Sequence, residues 1–204
     1  VDREKKTIRV RNGCTGDVYE EHYDILVLSP GANPIRPKSI EGVDRSNVFT
    51  VRNVTDIVNL KKFVTDCQIQ DVAVVGGGFI GIEVAENLSM DGRHVSVIEA
   101  QDQIMAPFDY DMVQMLQKEL LDHGVDVIVN DGVSAIGEES ITLASGKEVK
   151  AGMTVLAIGA APETGLAKAM GLELGETGAI KVDHNYRTSD PDILSLIHIS
   201  EPTR

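Results

Sequence analysis

Cysteine is scarce in this sequence of 204 residues, which contains only Cys14 and Cys67. The two cysteines form no C-x-x-C pair and lie near no group of histidines, so the sequence predicts neither a disulfide framework nor a zinc site. Neither cysteine has a basic neighbour placed to activate its thiol, so neither is expected to be a redox centre. Free thiols of this kind are typical of a reducing cytoplasm, which is the predicted location.

Long apolar runs and positive charge are also scarce. No segment reaches the apolar length of a membrane span, and no signal peptide is recognisable. The 19 basic and 32 acidic residues give a formal net charge of −13, which argues against nucleic acid or an anionic membrane as a partner. The first residue is not methionine and the opening stretch is polar, so we expect the sequence to begin within a longer protein.

The most informative stretch is the apolar and glycine-rich run V-A-V-V-G-G-G-F-I-G, which covers Val72–Gly81. The residues before the glycines are apolar and mostly β-branched, as in a buried parallel strand. The spacing Gly76-x-Gly78-x-x-Gly81 is the dinucleotide-binding fingerprint. In that fingerprint Gly76 makes the tight turn, Gly78 lets a pyrophosphate approach the backbone, and Gly81 lets the following helix pack closely.

The sequence after the glycines supports this interpretation. Ile80, Val84 and Leu88 have helical spacing. A second predicted strand, His94–Ile98, ends at Glu99, which follows Gly81 by 18 residues and is placed to bind a ribose. The alternative is an ordinary βαβ unit with a glycine-rich turn and a solvated acid.

Other patterns predict further elements. Thr7–Arg11, Val18–His22 and the more apolar Tyr23–Ser29 suggest a small β-meander, and three short runs between 133 and 149 suggest a second one. Thr55 is predicted to cap a helix over Asp56–Val64. A helix over Asp109–His123 is expected to bury one apolar stripe, made of Met112, Met115, Leu116 and Leu120.

Four motifs together resemble a known family. They are Y-D-I-L-V-L-S-P-G-A-N-P at 23–34, V-V-G-G-G-F-I-G-I-E-V-A-E-N-L at 74–88, V-L-A-I-G-A-A-P-E-T at 155–164 and T-S-D-P-D-I at 188–193. Their order and spacing are similar to those of the FAD-dependent pyridine nucleotide-disulfide oxidoreductases. Within that family the chain most resembles the branch that contains coenzyme A-disulfide reductase, NADH oxidase and NADH peroxidase.

The resemblance implies an α/β fold with a three-layer, Rossmann-like FAD/NAD(P)-binding domain and β-meanders, flanked by partial FAD-domain segments. It implies a first FAD-domain segment over 1–51, an NAD(H)-binding domain over 52–160 and a returning FAD-domain segment over 161–193. The family continues after this point into a strand that ends in Gly-Asp and contacts the flavin, which this sequence lacks. Residues 194–204 instead resemble translated sequencing-adapter sequence, and we expect them to be a non-native tail.

The resemblance also implies the cofactor-binding residues. The FAD contacts would be Ser29, Pro30 and Gly31. The NAD contacts would be Gly76, Gly78, Phe79, Ile80, Gly81, Glu83, Glu99, Ile158 and Gly159. Glu83 would lie near the nicotinamide, although a carboxylate in the first turn of a helix is also favoured by the helix dipole alone.

The implied function of the whole protein is hydride transfer from NADH to FAD, and then to a cysteine-based centre that reduces a small disulfide, a peroxide or oxygen. The redox cysteine is expected upstream, so this chain should contain no catalytic residue and should be inactive by itself. The parent is expected to be a homodimer without a metal, with NADPH a poorer donor than NADH. The alternatives are a dinucleotide-binding module without turnover and a flavoprotein reductase of a small electron carrier.

Overall fold

The computed structural model describes residues 1–196 and the backbone of residues 200–202. It divides into two compact units, one made of Val1–Asn33 with Ala161–Arg204 and the other of Pro34–Ala160. The first division of the chain therefore follows Asn33, whereas the sequence had suggested a division after Val51. The reason is that strand β5 (Val48–Thr50) pairs with the sheet of the second unit.

The second unit is built on a five-stranded parallel sheet with the order β5-β12-β6-β7-β8. The four other strands are β6 (Asp71–Val75), β7 (His94–Ile98), β8 (Val125–Ile128) and β12 (Met153–Leu156). The central strands β6 and β12 are almost completely buried, as their continuous apolar runs predicted. The fingerprint thus follows a strand in the middle of the sheet.

Three helices cover one face of this sheet: α1 (Val54–Asp66), α2 (Phe79–Met90) and α3 (Tyr110–Asp122). Their buried side chains share one apolar cluster with Val72, Val74 and other strand residues. Helix α1 is capped by Asn53 and not by Thr55, because Asn53 and Asp56 form a reciprocal capping box.

The opposite face carries an antiparallel meander of β9 (Val133–Ile136), β10 (Ser140–Leu143) and β11 (Glu148–Lys150). Ile136, Ile141 and Leu143 pack in a second apolar cluster with Val75 and Leu156. The unit therefore has three layers, namely helices, parallel sheet and meander, and this confirms the predicted fold class.

The buried stripe of α3 differs in part from the predicted one. The side chains of Met112 and Met115 are 56% and 64% exposed, whereas Leu120 is buried as predicted and Val113 is buried in addition. In α2, Ile80 is 52% exposed, and the buried residues are Gly81, Ala85 and Leu88. A small-residue stripe lets α2 approach the sheet closely, and a scan for large apolar residues overlooks it.

The first unit contains shorter elements. A hairpin is formed by β1 (Thr7–Arg11) and β2 (Val18–His22), and parallel pairs by β3 (Leu26–Leu28) with β15 (Ile193–Ser195) and by β14 (Ile180–Val182) with β16 (Ser200–Pro202). The first unit also contains α4 (Gly165–Ala169) and most of the mutually paired strands β4 (Ala32–Pro34) and β13 (Ala160–Pro162), of which Pro34 and Ala160 count toward the second unit. The predicted first meander is wrong, because β3 pairs with β15 and not with the hairpin.

Of the residues predicted to be a non-native tail, Leu194 and Ser195 lie in β15 and pair with β3. The Ser195 side chain is fully buried, and its hydroxyl donates a hydrogen bond to the Leu28 carbonyl oxygen at 3.2 Å. Ser200–Pro202 also lie in a paired strand. Residues 197–199 and 203–204, which belong to the same prediction, lie outside the described residues.

In the described part of the chain, no helix is long and apolar enough to cross a membrane. Likewise, no group of three or more histidine, cysteine or acidic side chains could hold a metal ion in that part.

An ion pair connects the start of the first unit to the T-S-D-P-D-I motif. The Arg3 guanidinium donates to the Asp190 carboxylate at 2.7 Å and to the Met170 carbonyl oxygen at 3.0 Å. The hydrogen bond from Arg3 holds the pKa of Asp190 below its usual value. A lowered folded-state pKa adds stability that is present above the unfolded pKa of 3.8 and is lost as the pH falls through the folded value.

We therefore expect Arg3→Met to make the first unit more sensitive to acid. The pH midpoint of acid unfolding should rise by roughly half a pH unit, because the partly exposed ion pair no longer favours the charged Asp190. Tyrosine fluorescence can follow the transition, since Tyr19, Tyr23 and Tyr186 all lie in the first unit. Arg11→Met is the control, since it removes an exposed arginine of the hairpin, and equal midpoints for the two variants would contradict the prediction.

Thr154, in β12, has a fully buried hydroxyl group that finds no hydrogen-bond partner among the described residues. A buried polar group without a partner destabilises the fold. We expect Thr154→Val, which keeps the shape of the side chain, to raise the free energy of unfolding by about 1 kcal/mol. Urea denaturation measures this change, with Thr65→Val as a control because the Thr65 hydroxyl is bonded to the Lys61 carbonyl oxygen. A destabilised Thr154→Val variant would contradict the argument.

Candidate dinucleotide-binding site

The glycine turn lies at the carboxyl edge of the parallel sheet, between β6 and α2. Gly76 has a positive φ of 107°, and a Cβ atom there would lie 2.5 Å from the Ala157 carbonyl oxygen. A Cβ atom on Gly81 would lie only 1.9 Å from the Gly76 carbonyl oxygen. These two glycines are therefore explained by the turn and by the close packing of the helix on it.

Gly78 has a different explanation. It is the N-cap residue of α2, with φ −82° and ψ −175°, and a Cβ atom there would meet no atom within 4 Å. Nothing in the described fold requires a glycine at this position, so the open space above Gly78 is available to a ligand. The backbone N–H groups of Phe79 and Ile80, at the start of α2, have no acceptor among the described residues. Free donors beside an open space are suited to phosphate oxygens.

Glu99 follows the end of β7 and faces the turn. Its carboxylate accepts one hydrogen bond from the Gly77 N–H at 2.7 Å and another from the Gln101 N–H at 2.9 Å. The alternative of a merely solvated Glu99 is therefore wrong. The acid lies beside the turn, as ribose binding in a Rossmann fold requires.

The segment from Ala100 to Asp109 makes further contacts with the turn. The Met105 N–H donates to the Gly77 carbonyl oxygen at 2.7 Å, and the buried Ile104 side chain packs on the Gly77 α-carbon. The Phe108 ring contacts the Phe79 ring edge to face, with 5.9 Å between centroids. Sequence reasoning gave this segment no role, although the apolar Ile104 and Met105 after three polar residues could have indicated packing.

A mainly apolar cavity of about 1020 Å³ lies beside α2. Phe79, Ile80 and Glu83 line it together with Ile57 and Lys61 of α1. Glu83 is exposed and belongs to the second turn of α2, since the first turn carries no acid. The argument from the helix dipole at the first turn therefore does not apply to Glu83.

Ile158 and Gly159 follow β12, which is next to β6, so they lie at the same edge of the sheet as the turn. Gly159 has a φ of 99°, and its carbonyl oxygen accepts a hydrogen bond from the Ile35 N–H at 3.0 Å. A Cβ atom on Gly76 would lie 3.1 Å from the Ile158 backbone nitrogen. The second unit thus contains all of the residues that the sequence assigned to NAD.

Ser29, Pro30 and Gly31, which the sequence assigned to FAD, lie in the first unit directly after β3. The Gly31 carbonyl oxygen accepts a hydrogen bond from the Glu163 N–H at 2.9 Å. The Glu163 carboxylate in turn accepts hydrogen bonds from the Asn33 amide and from the Gly165 N–H. Sequence reasoning had given Glu163 no role, because nothing in its neighbourhood shows that it faces Asn33.

The chain was compared with known proteins. A curated relative, coenzyme A disulfide reductase of Staphylococcus epidermidis, is 32% identical over 96% of this chain and 44% of its own length. The chain therefore spans less than half of that relative. The crystal structure of reduced Bacillus anthracis CoADR-RHD is 41% identical with a TM-score of 0.91, over 96% of this chain and 35% of that one.

Two related oxidase structures differ in their nicotinamide cofactor. The water-forming NADH oxidase from Lactobacillus brevis, bound to NADH, is 30% identical with a TM-score of 0.83, over 96% of this chain and 43% of that one. Its engineered derivative, a water-forming NADPH oxidase bound to NADPH, is 27% identical with a TM-score of 0.85, over 98% of this chain and 44% of that one.

The family model described as pyridine nucleotide-disulphide oxidoreductase matches residues 1–196. This match covers both units, including the glycine turn and all four motifs. The chain therefore belongs to the pyridine nucleotide-disulphide oxidoreductase family.

Proposed function

We propose that this chain supplies the NADH-binding part, and some of the FAD-binding part, of a flavoprotein oxidoreductase. The observation that carries the proposal is the open space at Gly78, next to the free N–H groups of Phe79 and Ile80 and close to Glu99. Backbone donors suit a pyrophosphate, and a carboxylate suits ribose hydroxyls. The packing of the described residues does not explain the open space at Gly78, whereas a bound dinucleotide would.

In this proposal each described group has a defined task. The N–H groups of Phe79 and Ile80 bind the pyrophosphate, and Glu99 accepts hydrogen bonds from the adenosine ribose. The half-exposed Phe79 and Ile80 side chains, with Glu83 and the Ile158-Gly159 backbone, surround the nicotinamide half and exclude water from it. The flavin, when bound, supplies the electron-accepting chemistry, and the protein supplies position and electrostatics. Ser29, Pro30 and Gly31 are proposed to line the flavin nucleotide.

The proposed acceptor of the whole protein is a small molecule, namely a disulfide, a peroxide or oxygen. The names of the relatives support this class, because they include a disulfide reductase and a water-forming oxidase. Cys14 and Cys67 are exposed free cysteines of the first and second units, and we assign neither to the redox step. As the family resemblance implies, the whole protein is proposed to be a cytoplasmic homodimer with its redox cysteine outside this chain.

The chain alone is proposed to bind NADH without turnover. Adding FAD and NADH and following the visible absorbance of the flavin tests this point. Loss of absorbance without a further protein would show that the chain transfers hydride by itself. Reduction of a small carrier protein instead would favour the alternative of an electron-carrier reductase, although an acidic chain is a poor match for an acidic carrier.

Gly78→Ala tests the proposed pyrophosphate site. The new methyl group fits the free protein, because nothing lies within 4 Å of its position, but it occupies the space proposed for the ligand. We expect the NADH dissociation constant to rise about tenfold or more, which corresponds to about 1.4 kcal/mol. Titration calorimetry measures the affinity, and the melting temperature should stay close to that of the wild type.

Gly13→Ala is the matched control, because its Cβ atom also meets no atom within 4 Å. It tests the effect that a glycine-to-alanine change has on the unfolded chain. If both variants bound NADH as tightly as the wild type, Gly78 would not face the ligand and the proposed site would be wrong.

We further expect the chain to prefer NADH to NADPH. Glu99 would repel a 2′-phosphate by about 2–3 kcal/mol at close range, roughly a hundredfold in affinity. Residues 100–103 are Ala-Gln-Asp-Gln and offer no cation to the phosphate. In the engineered NADPH oxidase, a consecutive aspartate and alanine are replaced by alanine and arginine.

A double variant of the same kind in this chain is Glu99→Ala with Ala100→Arg. It should shift the ratio of the NADH and NADPH dissociation constants toward NADPH by about a hundredfold, because repulsion is replaced by attraction. Fluorescence titration with each cofactor gives the ratio. Equal affinity of the wild-type chain for the two cofactors would contradict the preference.

A further inference from the structure

We propose that Glu99 is also a positioning residue, whose carboxylate fixes the glycine turn in the conformation that binds pyrophosphate. This inference rests on the proposed function and adds a second task for the same side chain. It starts from the observation that the Glu99 carboxylate bonds to the turn itself, at the Gly77 N–H, before any ligand is considered.

The two tasks are compatible in one carboxylate. An ionised carboxylate has about four acceptor positions on its two oxygens. The Gly77 N–H uses a position on Oε2 and the Gln101 N–H uses one on Oε1. Each oxygen keeps a free position, so Glu99 can hold the turn and accept a ribose hydroxyl at the same time.

Gly77 is fixed at three points, and Glu99 supplies the one that involves a charge. Its N–H donates to Glu99, its carbonyl oxygen accepts from the Met105 N–H, and its α-carbon packs on the Ile104 side chain. The orientation of Gly77 sets the path of the chain into Gly78 and the start of α2. Because Gly77 is buried, the loss of its acceptor leaves an N–H group without a partner.

The consequence is that recognition of the ribose and of the pyrophosphate are coupled through Glu99. A residue that only binds the ribose loses its importance when the ligand lacks both hydroxyl groups of the adenosine ribose. A residue that also positions the turn keeps its importance for such a ligand, because the pyrophosphate still needs the N–H groups of Phe79 and Ile80 in place.

The test is a cycle of two variants and two ligands on the 204-residue chain. The variants are Glu99→Gln, which replaces one acceptor oxygen by a donor, and the control Glu148→Gln, which removes the same charge from an exposed strand residue. The ligands are NADH and its analogue with a 2′,3′-dideoxyadenosine ribose, which has no hydroxyl group to offer Glu99. We expect Glu99→Gln to raise the dissociation constant of both ligands at least fivefold, and Glu148→Gln to change neither.

Equal affinity of Glu99→Gln and wild type for the dideoxy analogue would overturn the positioning role while leaving ribose binding intact. The affinities are measured well below the unfolding transition of both variants, so that a loss of folded protein is excluded. If the wild type bound neither ligand, the proposed function would fail. The inference would then be decided on the free chain by hydrogen exchange of the Gly77 amide. We expect Glu99→Gln to accelerate this exchange tenfold or more, and unchanged exchange would overturn the inference.

Discussion

The structure of the second unit depends on how closely the start of α2 approaches the end of β6. The Gly76 carbonyl oxygen lies 1.9 Å from the position that a Cβ atom of Gly81 would take, so only a residue without a side chain permits the observed distance. The same helix then presents Ala85 and Leu88 to the sheet, and both are buried. The small residues bring the free N–H groups of α2 to the sheet edge, where the ends of β7 and β12 also meet.

That approach creates a turn with little intrinsic stability. Three successive glycines lose more conformational entropy on folding than other residues would. The surroundings restrain the middle one, Gly77, by a carboxylate, a backbone N–H and a buried side chain. Gly78, by contrast, is left uncovered. The three glycines are chemically identical but differ in their contacts. Gly76 and Gly77 are held by the fold, whereas Gly78 is open to a ligand.

Much of this arrangement could be predicted from the sequence, for reasons that can be stated. Runs of apolar, β-branched residues and a fixed glycine spacing are local patterns. They predicted the parallel strands, the turn and the position of Glu99. Pairing between distant segments is not local. The association of β3 with β15 joins residues more than 160 positions apart. The periodicity of either segment does not indicate which strand it pairs with.

The helical stripes illustrate a second limit. Met112 and Met115 have the spacing and polarity of core residues, yet they are exposed, and Val113 is buried beside them. A helix with apolar residues on two adjacent faces can be rotated by one residue with little change in its pattern. In α2 the glycine fingerprint predicted the close packing at Gly81, but only the structure shows that Ala85 is buried as well. In the site, the contact of Ile104 with Gly77 depends on the conformation of a loop. A loop has no periodic sequence pattern from which this contact could be predicted.

An acidic chain that offers a site to an anion needs a physical explanation. The formal charge of −13 would repel a dinucleotide if the charges were averaged over the surface, but binding is decided by the groups within a few ångströms. Glu99 lies close to the proposed phosphate site, and its two hydrogen bonds from Gly77 and Gln101 bind it to protein donors. The N–H groups of Phe79 and Ile80, two and three residues after Gly77, stay free at the positive end of the α2 dipole. Neighbouring peptide groups of one turn thus serve opposite partners, the protein's own carboxylate and the phosphates of a ligand.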